Sequence, residues 1–223
     1  MFITVCGQKG GVAKTCTSIH LASIWHSQGK KVCVIDADKN RSALAYGIRG
    51  NLNFPIFPVS SAAKASRDSD IVITDGQASS DEEELKHLAY GSDLVIIPTT
   101  AKARSVELTV ELANLLSSLK VNHAALIVKV DFRQQKAAFQ AKNALEKFGL
   151  HVFEGFIPLL SAFDKAEASG KSVFDAKDDL GRSDPRRMTG WSAYCSIASQ
   201  ISCLISKHSS NNNNSNQTLP ISA

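Results

Sequence analysis

Two lysines and a pair of glycines stand in one short stretch near the amino terminus, Cys6-Gly7-Gln8-Lys9-Gly10-Gly11-Val12-Ala13-Lys14-Thr15. Glycines at 10 and 11 let backbone amides approach an anion with no side chain in the way. A helix starting at Lys14 would add the partial positive charge of its N-terminus. Lys14 can then reach the outer phosphates of a nucleotide, and the Thr15 hydroxyl can sit on Mg²⁺. The strict phosphate-loop pattern places glycine directly before the Lys-Thr pair. Ala13 stands there instead, which is tolerated at negative φ and strained at positive φ. Three carboxylates complete the set: Asp36 and Asp38 after one apolar run, and Asp75 at the end of another. Phosphate binding and phosphoryl transfer are the chemistry these residues could perform.

Elements must hold them in place. An apolar run at 2–5 leads into the loop, and helix-compatible residues 14–28 follow. Residues 31–36, 70–75, 93–100 and 124–130 read as short buried strands, rich in β-branched residues. Residues 54–60 read as an edge strand or extended loop because of Pro55 and Pro58. Residues 152–157 are the last expected strand. Helices are expected over 81–90, with an acidic start suited to its dipole, and over 102–119, 134–148, 161–169 and 191–207. Gly149 closes the helix at 134–148. Strands alternating with helices imply an α/β single domain, with a mostly parallel sheet covered by helices on both faces. In such a sheet the carboxyl ends of the strands face the ligand crevice, where Asp36 and Asp75 fall. The expected domain is 1–207. The Asn/Ser-rich tail, 208–223, cannot bury apolar area and is expected to be disordered.

The composition agrees with one well-buried domain. The chain has 223 residues, 43% hydrophobic and 21% charged, too short for two domains of usual size. Nothing at the start reads as a signal peptide, and no apolar run is long enough to span a bilayer. The five cysteines, Cys6, Cys16, Cys33, Cys195 and Cys203, lack paired metal-type spacing and read as buried thiols in a reducing cytosol. A net charge of +4 permits weak attraction to a polyanion and decides little else.

Lys-Gly-Gly-x-x-Lys-Thr, from Lys9 to Thr15, resembles the deviant Walker A loop of the ParA/MinD superfamily of P-loop ATPases. The likeness extends over residues 1–207 and includes Asp36-x-Asp38, Asp75, and Asp93 to Pro98 in the family's order. It is closest to the short plasmid-partition ParA proteins of the ParF type. The resemblance implies a P-loop fold with ATP and Mg²⁺ as cofactors. Gly10, Gly11, Val12, Ala13, Lys14, Thr15, Cys16 and Pro158 would hold the nucleotide. Thr15 and Asp75 would hold the metal, with Asp36 supporting the metal shell or the loop. Asp38 would orient the attacking water, and Lys9 would reach the partner's nucleotide across a homodimer formed on ATP binding. Cys16 stands where relatives usually carry a second threonine, and Leu159-Leu160 where they often carry polar or basic residues.

The loop begins at Cys6, so no helix-turn-helix extension is expected before it. The Asn/Ser-rich end has no affinity for lipid, so no membrane partner is expected. Nonspecific DNA is, with Lys171, Arg182, Arg186 and Arg187 as its contacts and Lys177 beside them, in a loop whose aspartates equally suit a solvated surface. The implied function is ATP-driven partition of plasmid DNA. A small ParB-like DNA-binding adaptor would stimulate a weak basal hydrolysis, in the cytoplasm and on the nucleoid. Two alternatives stay open: the same ATPase positioning another cargo, such as a conjugation relaxosome or protein compartment, and a non-hydrolysing nucleotide-dependent recruitment switch.

Overall fold

The computed structural model describes residues 1–50, 52–78 and 82–215, with side chains as far as Ser206. Its elements run β1 (Phe2–Gly7), α1 (Lys14–Ser27), β2 (Val32–Ala37), α2 (Ser42–Ile48), β3 (Ile56–Pro58), α3 (Ala62–Arg67) and β4 (Ile71–Ala78). After these come α4 (Glu82–Ala89), β5 (Leu94–Thr99), α5 (Ala103–Ser118), β6 (His123–Ile127), α6 (Gln135–Lys147), α7 (Ser161–Ala168) and α8 (Arg187–Ser215). The strands form one sheet in the order β3-β2-β4-β1-β5-β6. Every ladder is parallel. The α/β architecture with a parallel sheet is therefore as expected.

The alternation along each strand explains the two layers. Ile3 and Val5, Val34, Ile71 and Ile73, Leu94 and Ile96, and Leu126 point into one core, shared with α1 and α8. Val95 and Ile97, Ala125 and Ile127 point into a second core under α4, α5 and α6. Cys33, Ile35 and Val72 meet Ala65 of α3 on that same second face of the pleat. Successive side chains of a strand go to opposite faces, so one apolar run feeds both cores. Gly76 belongs to this packing: a Cβ there would lie 3.0 Å from Cys6 Cβ and 3.1 Å from the Val5 carbonyl.

Several boundaries differ from expectation. Residues 152–157 form no strand; Val152 and Pro158 make isolated parallel bridges to Ala125 and Val130. Hydrogen bonds from Phe153 and Ile157 to the Ala125 and Ile127 carbonyls hold the segment beside β6, but turns break the ladder at Glu154-Gly155. The closing helix starts at Arg187 and continues past residue 207 to Ser215. Extending a formed helix adds one hydrogen bond per residue fixed, without a new nucleation cost. The rest of the tail, 216–223, lies outside the described residues, as does Asp81, with which the helix at 81–90 was expected to open. All five cysteines are free thiols; Cys203 is exposed and Cys16 and Cys195 only half-buried, which corrects the expectation of five buried ones.

Candidate functional site

The central strand β1 delivers the loop to the carboxyl edge of the sheet. There Val5 is in register with Asp75, and Asp75 with Asp36. Asp36, Asp75 and the loop are thus neighbours by strand pairing alone. Ala13 caps α1 in the left-handed conformation, φ 60° and ψ 34°. This is the strained alternative for a residue with a Cβ, costing roughly 1–2 kcal/mol. α1 has no side-chain cap and no acidic residue in its first turn. Its leading N–H groups are left to an external acceptor, the electrostatic profile of an anion site. A Cβ on Gly10 or Gly11 would meet nothing within 4 Å, and Gly11 has φ 75°. Backbone conformation, not crowding, is what calls for glycine at 11.

Beneath the loop, Thr15 Oγ1 donates to Asp75 Oδ2 at 2.7 Å, and Ser18 Oγ lies 2.9 Å from Asp75 Oδ1. Ser18 Oγ is also 3.1 Å from the Lys14 carbonyl. It has one proton for two acceptors. Asp75 is fully buried. Burial pushes its carboxyl up to about 7, against the pull of the Thr15 and Ser18 hydroxyls. Burial also lowers the Lys14 ammonium, which the Asp75 charge partly restores. Lys14 Nζ reaches the Lys9 carbonyl at 3.4 Å. Lys9 turns the other way: its ammonium donates to Ser105 Oγ at 3.0 Å, and that hydroxyl is 2.8 Å from Thr100 Oγ1.

Asp36 is occupied by backbone. Its Oδ1 accepts from Asp38 N–H at 3.0 Å and its Oδ2 from Leu44 N–H at 2.8 Å. It ties the turn after β2 to the start of α2. Asp38 Oδ1 accepts from Asn40 N–H at 2.9 Å, and its side chain borders the cleft.

The cleft beside the loop has a volume of about 410 Å³, within the range of small-molecule sites. Gly10, Gly11, Ala13, Lys14, Thr15, Cys16, Asp38 and Pro158 line it. Val12 is buried behind the loop. Asp36, Asp75 and Lys9 do not line the cleft. The far end adds residues that sequence reasoning missed: Tyr46, Lys129, Phe163, Asp164 and Glu167. Lys129 has φ 56°, and no local sequence signal marks it. Tyr46 is brought in because its hydroxyl donates to the Lys171 carbonyl at 2.8 Å. The Cys16 thiol is pushed up to about 12 by burial, so it presents a neutral, weakly polar group to the cleft.

None of the expected DNA-contacting residues lines this cleft, and they are unequal. Arg182 pairs with Asp178 at 2.8 Å. Arg187 donates to the Phe174 carbonyl and stacks over the Phe174 ring at 4.9 Å. Lys171 contributes its carbonyl to Tyr46. Arg186 borders a second groove.

Residues 3–173 match the family described as "CobQ/CobB/MinD/ParA nucleotide binding domain". No curated protein matches. Among solved structures, the MinD cell division protein of Aquifex aeolicus superposes with a TM-score of 0.70 at 15% identity, covering 99% of each chain. MinD of Pyrococcus horikoshii, complexed with Mg-ADP, gives 0.68 at 13%, covering 90% of this chain and 95% of its own. A proposed plasmid partition protein of Borrelia burgdorferi, bound to AMPPNP, gives 0.65 at 20%, covering 90% and 98%. At these identities the superpositions establish a shared fold.

Proposed function

From a chain that belongs to the CobQ/CobB/MinD/ParA nucleotide-binding family, we infer an ATP- and Mg²⁺-dependent dimerising ATPase that moves DNA cargo. The observation that carries this reading is the Thr15–Asp75 contact at 2.7 Å beneath an uncapped helix start. A hydroxyl and a buried carboxylate side by side at a helix N-terminus suit a magnesium-bound phosphate. Among the described residues no three His, Cys, Asp or Glu side chains gather into a metal site. Mg²⁺ would therefore be held through Thr15 and Asp75 together with phosphate oxygens it brings along.

Within this reading Lys14 holds the outer phosphates, and the loop amides take the rest of their charge. Asp36 keeps the turn in shape, and Asp38 orients water. Lys9 belongs to the deviant Walker A arrangement. It leaves Ser105 and neutralises charge at the partner's nucleotide, as an arginine finger does. Hydrolysis to ADP and phosphate is slow without a ParB-like adaptor and separates the two copies. Nonspecific DNA contact falls to Lys171, Lys177 and Arg186; Arg182 and Arg187 contribute less because their guanidinium groups are already engaged. Plasmid segregation is the cargo reading that fits the likeness to a proposed plasmid partition protein.

Sedimentation with saturating AMPPNP and Mg²⁺ tests the core of this. The protein should dimerise. Lys14→Ala should lose nucleotide binding, and Lys9→Ala should bind nucleotide yet remain monomeric. A wild-type protein that stays monomeric under these conditions refutes the trans-lysine switch. Turnover of ATP with and without DNA and adaptor decides between this motor and a recruitment switch that does not hydrolyse.

A further inference from the structure

Beside the nucleotide cleft runs a second groove of about 860 Å³. Phe132, Phe156, Leu159 and Leu160 are among the residues that line it, and Arg133 and Arg186 are charged residues on its border. Phe132 is 83% exposed and Leu159 53%, two large apolar side chains of this one groove left facing water. Phe156 is backed by the exposed Phe139, ring to ring at 5.0 Å, which extends the apolar surface onto α6. Contiguous apolar surface with a polar rim marks an interaction site. Among the described residues neither guanidinium has an ion-pair partner. The acids beside them are committed to backbone: Asp131 Oδ1 accepts Arg133 N–H and Asp184 Oδ1 accepts Arg186 N–H. Asp184 Oδ2 is taken by Lys165.

We propose that this groove docks a segment of a partner protein in which carboxylates flank a bulky apolar side chain. The apolar anchor would cover Phe132 and Leu159, and the carboxylates would take the two guanidinium forks, which match carboxylate geometry bidentately. A polynucleotide fits less well, because it needs a track of cations and this groove offers two, with Asp131 on the same rim; Arg186, the one residue shared with the DNA surface above, would serve either occupant but not both at once. The wall is shared. Pro158, Leu159 and Leu160 line both the groove and the nucleotide cleft. Hydrogen bonds from Val130 N–H to the Ile157 carbonyl and from Leu159 N–H to the Val130 carbonyl pin that wall to the segment bearing Lys129. A segment docked here presses on the same residues that border the nucleotide. The proposal rests on the reading above only through this shared wall.

The test is fluorescence anisotropy on the full chain without nucleotide. The probe is a labelled peptide with glutamates flanking a central Leu-Phe pair, and the control is the same peptide with lysines for glutamates. The glutamate peptide should bind, and the lysine peptide should not. Arg133→Glu and Leu159→Ser should each weaken binding by about tenfold or more. Arg133→Glu, outside the nucleotide cleft, should leave the affinity for labelled AMPPNP unchanged, which also shows that the variant is folded. No binding of the glutamate peptide, equal binding of both peptides, or binding indifferent to Arg133→Glu overturns the proposal. Binding of a labelled oligothymidylate that Arg133→Glu abolishes would make the groove a nucleic-acid surface and overturn it too. Nucleotide-free self-association lost in Leu159→Ser would assign the groove to a second copy of the chain and likewise overturn it. Since no arm depends on hydrolysis or dimer closure, its failure is separable from failure of the ATPase reading.

Discussion

Ala13 carries a backbone conformation made for glycine, at φ 60°. Ala13→Gly should stabilise the protein by about 1 kcal/mol, relief of the left-handed strain exceeding the added chain entropy, as read by urea denaturation. Asp75 poses a different problem. With one Ser18 proton between two acceptors, an ionised carboxylate is short of a partner, whereas an amide at 75 could donate to Ser18 Oγ and free that proton for the Lys14 carbonyl. Asp75→Asn should therefore raise nucleotide-free stability at pH 8 by on the order of 2 kcal/mol, while Mg²⁺-dependent nucleotide binding is lost. His20 gives the pH dependence. Its Nε2 accepts from Val173 N–H at 3.0 Å and its Nδ1 lies 2.6 Å from the Cys16 carbonyl. The faces that enclose it, Tyr194 and Phe163, bring no charge, and burial lowers it to about 4. Between that value and the ordinary 6.5 the unfolded chain binds more protons. This contribution is present above pH 6.5 and is lost as pH falls towards 4, by about 3 kcal/mol. Asp75, raised, has the opposite slope: the folded form holds the extra proton, so its contribution is lost as pH rises towards 7. Denaturation at several pH values should show His20→Gln losing less stability on acidification than wild type, and Asp75→Asn losing more.

At the scale of elements, the cleft depends on how α2 meets the α7 segment. Tyr46 and Arg49 donate to the Lys171 and Glu167 carbonyls, at 2.8 and 3.0 Å. The backbones close at Gly50 and Gly170. A Cβ on Gly50 would lie 2.2 Å from the Ser169 carbonyl oxygen, and one on Gly170 2.3 Å from Gly50 N. Backbone cannot yield as a side-chain end does, so Gly50→Ala should cost roughly 2–3 kcal/mol. Because the clamp carries Tyr46 and Glu167 into the cleft, the same variant should weaken nucleotide binding in proportion. Calorimetry and titration with labelled AMPPNP on one preparation check both effects. Of these elements α7 was expected, at 161–169, whereas α2, like α3, was not among the expected helices. The clamp was not legible in the sequence, because it joins residues more than a hundred positions apart through backbone carbonyls that carry no sequence signature. The lost strand at 152–157 has the same origin: its apolar run predicted a strand, but the turn at Gly155 lets only two of its hydrogen bonds reach β6.

For the whole molecule, the question is which surface meets DNA once two copies pair. Charge counted along residues 171–187 treats five cations alike, and the fold separates them. Arg182 is neutralised by Asp178 and Arg187 is pinned to Phe174, so Arg186→Ala should lower the slope of log K against log salt by about 1. Arg182→Ala should leave it nearly unchanged. Filter binding of nonspecific duplex across a salt series measures both, and equal effects would contradict the sorting. Here too the internal partners decide, and they come from folding.

The chemistry and layout were already present in the chain: a glycine-lysine loop between a strand and a helix, carboxylates at strand ends, and alternation that builds a two-faced parallel sheet. Those are local patterns, set by backbone freedom and by the period of side-chain burial. The fold alone decided that Asp36 is spent on backbone amides, that Ala13 is strained, that Lys9 points towards Ser105, and that Lys129, Tyr46 and Glu167 border the cleft. The Asp36 and Ala13 outcomes are set by the backbone torsions that the turn after β2 and the start of α1 adopt, and the others by which distant residues packing brings together, which no short window of sequence contains.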